Sequence, residues 1–68
     1  MANLEELKKR IDNSGLKLDY ISSQMDINRV SLYNKLTGKT EFLVSEAGTL
    51  MDILNLTEHE ASSIFFKN

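Results

Sequence analysis

Residues that stop helices recur along this 68-residue chain at Gly15, Asp26, Gly38 and Asn55, and that spacing leaves room only for short helices. Glycine enters the left-handed backbone conformation freely, and Asp and Asn enter it more readily than other residues that carry a side chain. Residues that start helices alternate with these stops. Asn3, Asn28, Ser45 and Thr57 each suit an N-cap, and Glu6 and Glu60 lie three residues past Asn3 and Thr57, as a capping box requires. Between the marks, apolar residues fall at helical spacing: Leu4, Leu7 and Ile11; Leu18, Ile21 and Met25; Leu32 and Leu36; Ala47, Leu50, Met51 and Leu54; Ala61, Ile64 and Phe65. The expected product is a five-helix, all-α domain. Its second helix should run from about Leu18 to Met25, and Ser45 should cap the fourth. The loop after Gly38 should tuck Phe42 and Val44 against the core.

Composition narrows the function classes. With 41% hydrophobic and 26% charged residues the chain reads as one folded domain over residues 1–68. A core this small supplies only about 3–5 kcal/mol, so a partner subunit is an expected source of further stability. There is no cysteine, hence no disulfide and no thiolate metal site. His59, the single histidine, sits between Glu58 and Glu60 and cannot by itself build a zinc site. Gly15, Gly38 and Gly48 form no phosphate-cradling loop, and no Ser/His/Asp spacing suggests a nucleophile. No enzyme, no cofactor, no metal and no small-molecule substrate are expected. Residues Met1 to Lys8 lack the apolar core of a signal peptide, and no apolar run reaches the length of a membrane span, so a cytoplasmic protein is expected.

Charge points the same way once it is mapped along the chain. The formal total is −2. Residues 1–44 carry Lys8, Lys9, Arg10, Lys17, Arg29, Lys35 and Lys39 against six acids, a balance of +1. Residues 45–68 carry Lys67 against Glu46, Asp52, Glu58 and Glu60, a balance of −3. Residues 27–40 hold Arg29, Lys35 and Lys39 and no acid. A duplex meets the local field rather than the total.

The stretch from Leu18 to Gly38 has the pattern of two helices crossing at a tight turn, a helix-turn-helix over about 18–37. Ser22 supplies the small side chain at the crossing, Asp26 the reversal, and Ile21, Ile27 and Leu32 the apolar contacts that hold one helix on the other.

Gly15-Leu16 followed by the run Tyr20-Ile21-Ser22-Ser23-Gln24-Met25-Asp26-Ile27-Asn28-Arg29-Val30-Ser31-Leu32-Tyr33-Asn34-Lys35-Leu36-Thr37-Gly38-Lys39 resembles the Cro/C1-type (Xre) helix-turn-helix family. The likeness is strongest to short repressors and Cro-like regulators of phages and mobile elements in Gram-positive bacteria, and it covers residues 4–66. It implies a compact lambda-repressor-like fold and a sequence-specific DNA-binding regulator of transcription. It also implies roles for single residues. Arg29, Val30, Tyr33 and Asn34 would contact bases, Arg29 through guanine, Asn34 through adenine and Val30 through a thymine methyl. Lys17, Asn28, Lys35, Lys39 and Thr40 would contact phosphates. The chain departs from the family at Asp26, where glycine is usual, and at Lys35, where many relatives have an apolar residue.

Ile64, Phe65 and Phe66 are adjacent, and one helix face cannot bury all three. The segment 53–68 is therefore expected to form the seam of a homodimer, with recognition helices about 34 Å apart on a near-palindromic operator. The acidic total supports a second expectation, a protein-binding adaptor of antirepressor or antitoxin type on the same fold.

Overall fold

Five helices and no strand make up residues 3–65, which are the residues the computed structural model describes. They are α1 (Leu4–Ser14), α2 (Leu18–Gln24), α3 (Arg29–Leu36), α4 (Val44–Ile53) and α5 (Glu58–Phe65). The turns explain the boundaries. Asp26, Gly38 and Asn55 take left-handed φ values of 57°, 88° and 55°. In each case the amide of the next residue donates to a carbonyl five positions back: Ile27 to Ser22 (3.1 Å), Lys39 to Asn34 (2.9 Å) and Leu56 to Met51 (2.9 Å). This is the Schellman arrangement, and it satisfies carbonyls that a helix end leaves without a partner. Gly15, at φ 74°, ends α1 differently. There the Ser14 hydroxyl donates to the Ile11 carbonyl at 2.6 Å and accepts from the Leu16 amide at 3.1 Å, standing in for the missing backbone bond.

The helix starts follow the caps at three of the four expected places. Asn3 Oδ1 accepts from the Glu6 amide at 3.2 Å, and Asn28 Oδ1 from the Ser31 amide at 2.8 Å. Thr57 and Glu60 close a full capping box, with bonds of 3.1 and 2.9 Å. The box at Asn3 stays half-closed. The Asn3 amide donates to the Ile64 carbonyl at 2.6 Å, tying the start of α1 to α5, and Glu6 turns to Arg10 instead. The fourth start departs from expectation. Ser45 is not the cap of α4: the helix begins at Val44, because Glu46 reaches back to accept from the Leu43 amide at 2.8 Å. Val44 correspondingly stays 77% exposed rather than tucked inward, whereas Phe42 packs on the core as expected.

Each helix contributes one fully buried side chain to the centre: Leu7, Ile21, Leu32, Leu50 and Ile64. Burying a side chain of this size contributes about 1.5–3 kcal/mol. Around them pack Ile11, Met25, Leu36, Ala47, Leu56, Ala61 and Phe65. Helix α2 packs on α3 and α4, α1 on α3 and α5, and α4 on α5. The radius of gyration, 10.7 Å, is what a single compact unit of this length should have. Among the described residues no helix is long and apolar enough to cross a membrane.

Candidate nucleic-acid interface

Helices α2 and α3 meet through a turn of only Met25 to Asn28. Ser22 lies buried at the crossing, and its hydroxyl donates to the Asp19 carbonyl at 3.1 Å, so the polar atom is satisfied without widening the contact. Ile27, partly buried, packs against the core to which Ile21 and Leu32 belong. These contacts turn the Leu32–Leu36 side of α3 inward and leave its other side in water.

At 100° per residue, Arg29, Val30, Tyr33 and Thr37 share one exposed arc of α3 and its last turn. Val30 is 68% exposed and Tyr33 58%, unusual values for side chains of this kind. Asn34 is half-buried at the margin of the arc, and its carbonyl collects the Lys39 and Thr40 amides and the Thr37 hydroxyl. Arg29 stands 3.5 Å from Asp19 on α2, a long contact between two well-exposed groups. An exposed pair at that distance is weak and leaves the guanidinium available to another anion.

Of the residues expected to contact phosphate, Lys17, Lys39 and Thr40 are exposed in the turns before α2 and after α3. Asn28 is exposed too, with its side-chain oxygen engaged in the α3 cap. Lys35 is engaged within the fold instead. Its ammonium lies 2.9 Å from Glu46 Oε1, with the two side chains only 13% and 12% exposed. It also donates to the Glu41 carbonyl at 3.1 Å and sits 6.0 Å from the centre of the Phe42 ring. A lysine neutralised and enclosed in this way is withdrawn from the surface, so the positive field along residues 27–40 rests on Arg29 and Lys39. Burial alone would raise the Glu46 carboxyl's pKa. The Leu43 amide and the Lys35 ammonium outweigh it and hold the carboxyl below its ordinary value.

Two of the residues expected at a subunit seam are interior to the single chain. Ile64 and Phe65 are buried in the chain's own core, and Phe42 meets Phe65 edge-on with ring centres 5.7 Å apart. The loop aromatic covers the second of the adjacent apolar residues, which is why one helix can bury both. Phe66 lies outside the described residues. Two residues that shape this region carried no signal in the sequence, Asp19 opposite Arg29 and Glu46 opposite Lys35, because each partner is brought near only by the fold.

A groove of about 390 Å³ runs beside the arc, lined by apolar Ile11, Leu16, Leu18 and Leu36 and reached by Tyr33 and Thr37. Among the described residues no cluster of His, Cys, Asp or Glu is arranged to hold a metal ion. Comparison with known proteins finds no matching family model, no matching curated protein and no matching solved structure.

Proposed function

We propose that the chain is a sequence-specific DNA-binding regulator of transcription, with α2 and α3 acting as a helix-turn-helix and α3 entering the major groove. The observation that carries this reading is the exposed arc of Arg29, Val30 and Tyr33 at the start of a helix whose opposite side is fixed in the core. A major groove admits one helix, and the residue types match its code. Arginine reads guanine, an apolar tip packs on a thymine methyl, and Asn34 at the margin suits adenine. Lys39 and Thr40 follow α3 and Lys17 precedes α2, all exposed in turns, which suits phosphate anchors. Within residues 27–40 no acidic side chain opposes approach to the duplex.

The experiment is selection of duplexes from a random library by the full chain, followed by binding of the selected and scrambled sequences across a salt titration. A regulator of this kind returns a consensus and binds it at least about a thousandfold more tightly than scrambled DNA. Inverted half-sites about 34 Å apart would indicate two copies on one operator. Ile64 and Phe65 are buried within the single chain, so we assign any such pairing to other residues.

A protein-binding adaptor on the same fold is the second reading. It is favoured by the net charge of −2 and by the adjacent exposed apolar residues Leu43 and Val44 at the start of α4. No enrichment of any duplex, even at low salt, would select it.

A further inference from the structure

The pair formed by Lys35 and Glu46 is a poor device for stability. Two charges this enclosed lose hydration that their attraction barely restores, and an apolar pair of similar volume does as well or better. What an apolar pair cannot do is grip a backbone carbonyl. Lys35 Nζ donates to the Glu41 carbonyl at 3.1 Å while Glu46 Oε1 holds both Lys35 and the Leu43 amide, at 2.9 and 2.8 Å. The segment from Lys39 to Leu43 is thus fastened at both ends. At its start the Lys39 and Thr40 amides converge on the Asn34 carbonyl, at 2.9 and 3.4 Å. Towards its far end Lys35 holds the Glu41 carbonyl to α3, while Glu46 holds the Leu43 amide to α4. Phe42, between the two, leans on Phe65 of α5. Lys39 and Thr40 are exposed on the taut stretch.

We infer that Lys35 is a positioning residue: by holding the Glu41 carbonyl it fixes the loop that presents Lys39 and Thr40 to the DNA backbone. It sits on the recognition helix but touches no nucleotide. The inference rests on the DNA-binding reading and extends it. It also couples the phosphate anchors to α3 itself, so that base-reading and backbone-holding parts move as one body. Three hydrogen bonds to α3, two on the Asn34 carbonyl at the loop's start and one from Lys35 further along, replace the disordered tether that an unfastened loop of this length would be.

The test uses the full chain with Lys35→Met/Glu46→Gln. The methionine keeps the apolar stem, and the glutamine keeps an acceptor for the Leu43 amide without leaving a lone buried charge. Unchanged circular dichroism establishes that the variant is folded. Amide hydrogen exchange at Lys39 and Thr40 is expected to quicken about tenfold, with the Ala61 amide, bonded to the Thr57 carbonyl at 2.9 Å in α5, as internal control. Random-sequence duplex is the binding probe. In the parent chain, Lys39→Ala should flatten the slope of log K against log salt by about one unit; in the double variant the same change should have well under half that effect. Unchanged exchange at Lys39 and Thr40, or an undiminished effect of Lys39→Ala, overturns the inference and leaves the DNA reading intact. Failure of the parent chain to bind any duplex overturns the DNA reading, and with it the presentation of Lys39 and Thr40 to phosphate.

Discussion

Asp26 and Asn55 occupy the same position in two copies of one turn. Each stands just past a helix with φ near 56°, at 57° and 55°, and each precedes an apolar residue that bonds back to the preceding helix. A capping residue then opens the next helix, Asn28 in one copy and Thr57 in the other. The copies differ in what they present. Past the first turn come Arg29 and Val30, and past the second Glu58 and Glu60. The geometry of a turn therefore does not decide which helix can approach a polyanion; the charge on its first turn does.

The left-handed position gives the first prediction. A residue with a Cβ is strained there, by roughly 1–2 kcal/mol for most side chains and less for Asp or Asn. Glycine removes that strain but gives the unfolded chain more freedom, an opposing effect of about 0.4–1 kcal/mol. Asp26→Gly and Asn55→Gly should therefore leave stability level or raised by up to about 1 kcal/mol, whereas Asp26→Ala and Asn55→Ala should lower it by about 1 kcal/mol. Urea denaturation measures both. Alanine variants as stable as the parent would mean that the turn relaxes out of the left-handed region.

The same positions show what was readable in the sequence and what was not. Stops at Gly15, Asp26, Gly38 and Asn55 are local properties of backbone and side chain, so they can be read without knowing what lies nearby. The start of α4 is not local. Ser45 has the chemistry of a cap, but the boundary follows Glu46, whose backward reach to Leu43 is supported by Lys35 from another helix. For the same reason the exposed arc of Arg29, Val30 and Tyr33 follows from helical period alone, while the burial of Lys35 depends on an acid eleven positions away across a loop. The ring that covers Phe65 is not readable either, because Phe42 comes from irregular chain whose path periodicity does not describe.

Phe65 is accordingly expected to behave as a core residue. Phe65→Ala should cost about 3–5 kcal/mol, which in so small a domain leaves the chain largely unfolded at room temperature. Phe65→Leu should cost about 1–2 kcal/mol and remain folded. Thermal unfolding of the leucine variant at two protein concentrations is the check. An equal fall in midpoint at both places the ring inside one chain; a fall confined to dilute protein would assign it to a contact between chains.

Glu60 makes part of the stability depend on pH. Its carboxylate accepts from the Thr57 amide at 2.9 Å and from Arg10 at 2.6 Å, and these partners lower its pKa from 4.5 to about 2. The unfolded chain keeps the ordinary value. The ionised group therefore favours the fold fully above pH 4.5, and that contribution is lost as pH falls from about 4.5 towards 2. Glu60→Gln retains a capping acceptor but not the charge. The difference in stability between parent and variant, followed by denaturation from pH 7 to 3, should shrink through this window; a constant difference would show that Arg10 and Thr57 do not discriminate between the charged and neutral forms.

Arg29 and Asp19 provide the sharpest separation of function from stability. Their contact is 3.5 Å long and well exposed, so Arg29→Ala should change folding stability by no more than about 0.5 kcal/mol. If Arg29 reads guanine, the same substitution costs about 1–3 kcal/mol on the selected duplex and relaxes preference at one base pair, with much less effect on scrambled DNA. Asp19→Asn should act in the opposite direction. It removes the anion that competes for the guanidinium and one negative charge close to the duplex, so affinity rises for all sequences and the salt dependence steepens slightly. Fluorescence anisotropy with the two duplexes measures both variants. Equal losses on selected and scrambled DNA in Arg29→Ala would reduce Arg29 to a phosphate contact and move base reading to Val30, Tyr33 and Asn34.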